Sequence, residues 1–185
     1  IGAVMVHRAE ADSLICGTFG QYSWHLQYVR QILARDGLHP VGALSMIILE
    51  DGPLFIADTQ CHNDPTPQQV METVMGAARH VRRFGLTPKI ALRSHSQFGN
   101  TDSYSGRKMR DALTLLDARE PDFMYDGEMH VDAALDPELR ERIFPTSRLQ
   151  GVANVLVFAG TDAASGVRNA LKMRAGGLEV GPILM

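Results

Sequence analysis

Ser94, His95, Ser96, Gln97, Gly99, Asn100, Thr101, Asp102 and Ser103 follow one another with Phe98 as the one large apolar side chain among them. Short hydroxyl and amide side chains with unhindered backbone N–H groups suit an anion. They suit it best at the start of a helix, where unpaired N–H groups and the helix dipole both favour negative charge. A phosphate or a carboxylate is the expected guest. The same composition also fits a solvated connection whose Ser and Asn residues cap the next helix, and the residues alone leave both readings open.

A second group, Asp126-Gly127-Glu128-Met129-His130 with Asp132 behind it, gathers three carboxylates and an imidazole. Such groups serve Mg²⁺, Mn²⁺ or Zn²⁺, but no HxH or HExxH accompanies them. The expectation is a place just past a strand end at the rim of a cleft, where the carboxylates could equally orient the Ser94–Ser103 loop. Cys61 and His62 could form a thiolate and its base. Adjacent residues seldom face each other as that chemistry requires, so a plain loop thiol is the simpler reading. His7, His25, His39 and His80 fall singly and read as surface residues. No GxGxxG or GxxxxGK[ST] is present, so a dinucleotide fingerprint and a P-loop are both excluded.

The elements that must position these groups alternate strand and helix. Gly2 to Ala11 reads as helix, Ser13 to Cys16 as a short buried strand, and Tyr22 to Arg35 as an amphipathic helix with Gly37 at its C-cap. Gly42–Leu49 and Leu54–Ala57 flank Asp51-Gly52, a hairpin turn pair. Thr66-Pro67-Gln68-Gln69 carries the Thr N-cap, the first-position Pro and the third-position Gln of a capping box. The helix after it buries Val70, Val74, Ala77, Val81 and Phe84 and ends at Gly85 and Pro88. Lys89–Leu92 is a strand, Ser105–Arg119 a helix, Phe123–Tyr125 a strand, and Asp136-Pro137 opens a helix to Ile143. Asn154–Ala159 is a strand, with Asp162 as N-cap of a helix to Arg174. This order predicts an α/β fold with a mostly parallel sheet and one antiparallel hairpin.

With 185 residues and 45% apolar content, the chain can bury one full core. A net charge of −3 and scattered arginines offer no field for nucleic acid. Two cysteines form no disulfide framework and suit a reducing cytoplasm. No apolar run is long enough to cross a bilayer, and the first residues lack a signal-peptide layout. Ile1 at the start and VGPILM at the end lead us to expect a piece of a longer protein.

LRSHSQFGNTDSYSGRKMRDAL, DGEMHVDAAL, LQGVANVLVF and VGPIL, in this order and spacing, resemble the phosphate acetyltransferase/butyryltransferase family. EADSLICG, FIADTQCHNDPT and RRFGLTPKIAL extend the likeness over nearly the whole chain. It is nearest to the version fused to the C-terminus of bacterial NADP-dependent malic enzymes, where SHSxFG and DGEMxxDAAL replace SYST and DGELQFDAA. The resemblance implies an isocitrate/isopropylmalate dehydrogenase-like fold of the phosphotransacetylase type. Residues 1–185 would be its C-terminal part, without the opening subdomain and the closing helix.

The resemblance further implies acyl-CoA, acetyl-CoA or phosphate as ligands, a homodimer or higher oligomer, and a malic enzyme catalytic domain in the same chain using NADP with Mg or Mn. Its motifs make Ser94, His95, Ser96, Phe98, Gly99, Asn100, Asp126, Glu128, Asp162 and Asn169 ligand-binding residues, with no catalytic or metal-binding residue. Gly20-Gln21-Tyr22 stands where active transacetylases carry HST. The sequence ends at Met185, before their DLSRG, and Ser165 and Arg168 replace the Asn and Tyr of the last helix. A regulatory segment is therefore expected, with a working phosphate acetyltransferase as the alternative.

Overall fold

Residues 1–33 and 42–185 are described by the computed structural model. The chain divides into two units, Ile1–Pro40 and Val41–Met185. In the first, α1 (Gly2–His7) and α2 (Tyr22–Leu33) are joined by residues 8–21, which form neither helix nor strand. The strand expected at Ser13–Cys16 does not form. Ile15 is 98% exposed, and the run joins no ladder. A short apolar run becomes a strand only where a neighbour takes its N–H and C=O groups. The expected end of α2, with Gly37 as its cap, lies outside the described residues.

The second unit is a six-stranded sheet in the order β4-β3-β5-β2-β1-β6. Its strands are β1 (Ala43–Leu49), β2 (Gly52–Ala57), β3 (Lys89–Arg93), β4 (Met124–Met129), β5 (Val155–Phe158) and β6 (Leu178–Leu184). The helices are α3 (Pro67–Arg83), α4 (Tyr104–Asp117), α5 (Val131–Leu135), α6 (Pro137–Ile143) and α7 (Thr161–Arg174). β2, β5, β3 and β4 pair in parallel, while β1 runs antiparallel to both β2 and β6. Pairing of β1 with β2 closes at Leu49↔Gly52, so the hairpin loop is Glu50-Asp51, one residue earlier than expected. Gly52, at φ +126°, opens β2 instead of turning the chain.

Burial on both faces explains why the central strands read as unbroken apolar runs. One face carries Leu44, Phe55, Ile90, Leu92 and Val157 against the apolar stripes of α3 and α4. The other carries Ile47, Ile56, Ala91, Leu156 and Phe158 against Ala133 and Ala134 of α5 and Ala164 of α7. The capping box at Thr66 forms as expected, with Thr66 Oγ1 accepting from Gln69 N and Gln69 Oε1 accepting from Thr66 N. Among the described residues no helix is long and apolar enough to cross a membrane.

Two elements extend beyond the strands read from the sequence, each for an identifiable reason. The terminal run VGPIL is part of β6, an edge strand, which is where a strand tolerates proline. Gly181 sits there at φ +138°, and a Cβ would meet Leu44 O at 3.0 Å. β4 continues four residues beyond Tyr125, because a bulge carries the ladder through the DGE sequence expected just past the strand end. Leu92 pairs with Gly127 but Arg93 pairs with Met129, leaving Glu128 as the extra residue. Tyr125 and Met129 would share a face of a regular strand, yet they pack in opposite cores.

Asp58, directly after β2, closes the open end of the hairpin. Its Oδ1 accepts from Ala43 N (2.8 Å), Gln60 N (3.0 Å) and Cys61 N (3.0 Å), and its Oδ2 from His62 Nδ1 (2.8 Å). Burial alone would raise its pKa, but the hydrogen bonds from His62, Gln60, Ala43 and Cys61 outweigh it and hold the value below the ordinary 3.8. The carboxylate therefore contributes stability that is complete above that value and is lost as pH falls through the depressed one. Asp58→Asn should cost about 1.5–3 kcal/mol at neutral pH and flatten the acid limb of the stability profile below pH 3.8. Urea unfolding across pH measures both; an unchanged acid limb would show that Asp58 is not linked to folding.

Candidate functional site

Because β2, β3, β4 and β5 are parallel, the loops after them emerge on one edge of the sheet. Residues 58–64, 94–103, 130 and 159–160 therefore share that edge. β3 continues into α4 on one face, while its neighbour β4 continues into α5 on the other. Adjacent strands that leave to opposite faces open a crevice at their carboxyl ends, the usual ligand position in such sheets.

The Ser94–Ser103 loop at this crevice is held by its own polar groups. Ser94 Oγ accepts from Ser96 N at 2.8 Å and donates to Ser96 O at 3.0 Å. Ser96, fully buried, accepts from Thr101 N at 3.2 Å, and Asn100 Oδ1 accepts from Gln97 N at 3.0 Å. Ser103 Oγ caps α4 by accepting from Gly106 N. These serines and Asn100 thus fix the loop's shape, and His95, Gly99, Asn100, Thr101 and Asp102 are its exposed members.

Glu128 fastens this loop to the sheet. The bulge turns its side chain inward, 1% exposed, where Oε1 accepts from Gly99 N and Arg110 Nη1, each at 3.0 Å. Its backbone oxygen accepts from Phe98 N at 2.6 Å. Phe98 takes φ +50°, unusual for a non-glycine residue, and its ring stacks on Phe144 at 4.2 Å. Asp126 is likewise buried, its Oδ2 accepting from Ser147 Oγ and Arg148 N, both at 2.7 Å. Asp126 and Glu128 therefore lie within β4, not past its end as expected. Glu128 takes the loop-orienting place weighed for these carboxylates.

A cavity of about 380 Å³ lies against the outer edge of β4, lined by Phe98, Arg110, Asp126, Glu128, Phe144 and Arg148 among others. Across the crevice, Lys108 crosses from α4, its side chain 4% exposed, to bond Asp64 and Ala159 O (3.0 Å). Tyr104 donates to the same Asp64. Their bonds hold the Asp64 carboxyl below the ordinary range, the Lys108 bond foremost. Nothing in the sequence pattern marks Lys108 as more than a surface lysine between SG and a helical stripe.

Other site residues are more dispersed. α7 is capped by Gly160 without a side-chain bond, and Asp162 is its second residue instead of its N-cap. Gly160 is required by space, since a Cβ would meet Asn63 O at 2.6 Å. Asn169, seven residues beyond Asp162, lies about 10 Å further along the helix and accepts from its neighbour Arg168. His62 turns its Nδ1 onto Asp58, an orientation set by the carboxylate and not by Cys61. Among the described residues no three His, Cys, Asp or Glu side chains gather to hold a metal ion.

The order of motifs on this framework is matched over residues 1–185 by the model of the phosphate acetyl/butaryl transferase family. The chain belongs to that family. It is 48% identical over 187 residues to an NADP-dependent malic enzyme of Salmonella typhimurium, covering all of this chain and 25% of that protein. It is 47% identical over 186 residues to an NAD-dependent malic enzyme of Rhizobium meliloti, covering all of this chain and 24% of that one. The chain thus spans about a quarter of the length of these relatives. A phosphotransacetylase structure from Streptococcus pyogenes superposes with a TM-score of 0.91 at 26% identity, covering 99% of this chain and 56% of that one.

The Glu128 carboxylate is buried while the Arg110 side chain is 36% exposed, so each partner depends on the other. Glu128→Ala and Arg110→Ala should each cost about 2–4 kcal/mol, the first leaving the Gly99 N–H without its acceptor and the second leaving a buried carboxylate without its counter-charge. Chemical denaturation of both variants measures this; a cost below about 1 kcal/mol for Arg110→Ala would show that solvent screens the pair as it does a surface one.

Proposed function

We propose that this chain is the transacetylase-like regulatory module of an NADP-dependent malic enzyme, the oxaloacetate-decarboxylating kind, binding acetyl-CoA as an allosteric effector and supporting oligomerisation. The observation that carries this reading is the alignment of the entire chain with about a quarter of each malic enzyme, at 48% and 47% identity. One of those relatives is named for NADP and the other for NAD, so a segment shared equally by both does not select the nicotinamide cofactor. The residues here fit neither a dinucleotide nor a divalent metal, lacking the glycine fingerprint and, among the described residues, any carboxylate cluster able to hold an ion. On this reading NADP and Mg or Mn act in the remainder of the protein.

The loop chemistry supports binding over turnover. Transfer of an acetyl group requires donors aimed at developing charge, whereas Ser94 and Ser96 spend their hydroxyls inside the loop. A preformed crevice with exposed His95, Gly99 and Asn100 at its rim suits a ligand that is held and not converted. Acetyl-CoA would then act by binding the less active state of the assembled enzyme more tightly, and malate would oppose it reciprocally.

In the full-length enzyme, acetyl-CoA should inhibit malate oxidation, and malate with NADP should weaken acetyl-CoA binding by the same factor, about 5–150-fold. Titration of acetyl-CoA with and without those substrates measures both. A phosphate acetyltransferase is the competing outcome: acetyl-CoA formation from acetyl phosphate and CoA near the roughly 10 s⁻¹ typical of enzymes would replace the regulatory reading.

A further inference from the structure

The cavity of about 380 Å³ lies on the outer side of β4, the edge strand of the sheet, away from β3 and the crevice. Its volume falls within the range of small-molecule sites, roughly 300–1,000 Å³, and binding of acetyl-CoA in the crevice does not call on it. Glu128 is its most demanding wall. The side chain is 1% exposed, and Oε1 accepts from both Gly99 N and Arg110 Nη1. Oε2 accepts from no donor among the described residues, although a buried carboxylate normally fills its acceptor positions on both oxygens.

Two guanidiniums line the same space with donors to spare. Arg110 gives Nη1 to Glu128, and its Nη2 lies 3.9 Å from Asp102, beyond hydrogen-bond reach. Arg148 gives Nη1 to Asp117 at 2.6 Å, and its Nε lies 4.0 Å from Asp126. Asp126 has no oxygen free, since Oδ2 accepts from Ser147 Oγ and Arg148 N and Oδ1 from Gly127 N. The remaining wall is apolar, formed by Phe98 and Phe144 with their rings stacked at 4.2 Å.

Two guanidiniums and two carboxylates leave the lining without net charge. A plain anion would meet Asp126 and Glu128, and a plain cation would meet Arg110 and Arg148, each at a cost in a partly enclosed site. A molecule that carries both charges a few bonds apart escapes both penalties. We propose that the cavity is a binding site for a free α-amino acid with an apolar or aromatic side chain. Its ammonium donates to Glu128 Oε2, its carboxylate accepts from the spare N–H groups of Arg110 and Arg148, and its side chain packs against Phe98 and Phe144. A quaternary ammonium zwitterion has no N–H for Oε2 and answers the site less well. The site goes beyond the regulatory reading and does not depend on acetyl-CoA being the effector.

Calorimetric titration of the full-length protein with L-phenylalanine tests the site. Saturable binding is expected, weakened roughly 10-fold or more for hydrocinnamate, the same skeleton without its ammonium, and for phenethylamine, which lacks the carboxylate. Glycine, with no side chain to set against the two rings, should bind at least about 10-fold more weakly. Thr146 is exposed and lines the cavity, so Thr146→Trp fills the space from its rim and should abolish binding. Arg148→Gln should weaken it roughly 10-fold, the loss of a charge-assisted hydrogen bond. Circular dichroism checks that each variant is folded, and Thr146→Trp carries the test if Arg148→Gln, which also releases Asp117, is not. Absence of saturable L-phenylalanine binding overturns the site, as does equal affinity for hydrocinnamate. Binding unchanged in the folded variants places the amino acid elsewhere and overturns it too. Amino-acid binding without acetyl-CoA inhibition would retain the site and remove the regulatory proposal.

Discussion

A buried carboxylate on the bulge of β4 determines the shape of the crevice. Glu128 gathers the N–H of Gly99 and the guanidinium of Arg110 on one oxygen, while its own backbone takes Phe98 N. A carboxylate 1% exposed is costly to bury unless such partners are supplied. The loop after β3 therefore has one placement that satisfies the sheet. Gly127 makes the arrangement sterically accessible: a Cβ there would meet Leu92 O at 2.7 Å, so the two strands could not approach and the bulge could not form beside β3.

The same edge is closed from the other side by Lys108 and Asp58. Lys108 joins α4 to the loop after β2 and to the end of β5, and Asp58 joins that loop to the start of β1. Three loops from separate parts of the chain are thus tied to one another before any ligand is considered. A scaffold of this kind presents a ligand with little to reorganise, which lowers the cost of ordering on binding.

The sequence made the helices and inner strands legible because their signals are local. Thr66-Pro67 with Gln69, the Asp136-Pro137 cap and the unbroken runs KIAL and NVLVFA each carry a complete physical reason. The losses came where partners decide. SLIC has strand composition but no neighbour, VGPIL contains a proline yet pairs at the sheet edge, and DGE, expected past the strand end, stays in the ladder through a bulge. At the site, the hydroxyl-rich loop and the DGEMH carboxylates were visible. That Glu128 would hold the loop could be stated only as an alternative, because it depends on a register shift between β3 and β4.

The central claim is that the loop is fixed by Glu128 in the absence of ligand, so that any ligand meets a preformed crevice. Amide hydrogen exchange at Phe98 and Gly99, whose N–H groups donate to the backbone oxygen and to Oε1 of Glu128 respectively, tests this most directly. The account predicts that both amides in the unliganded protein exchange far more slowly than solvent-exposed amides, and that Glu128→Ala, which removes Oε1 but keeps the backbone oxygen, releases Gly99 while leaving β5 protected. Rapid exchange at Phe98 and Gly99 in the wild-type protein, slowed only on addition of acetyl-CoA, would contradict it and make the loop a ligand-ordered element.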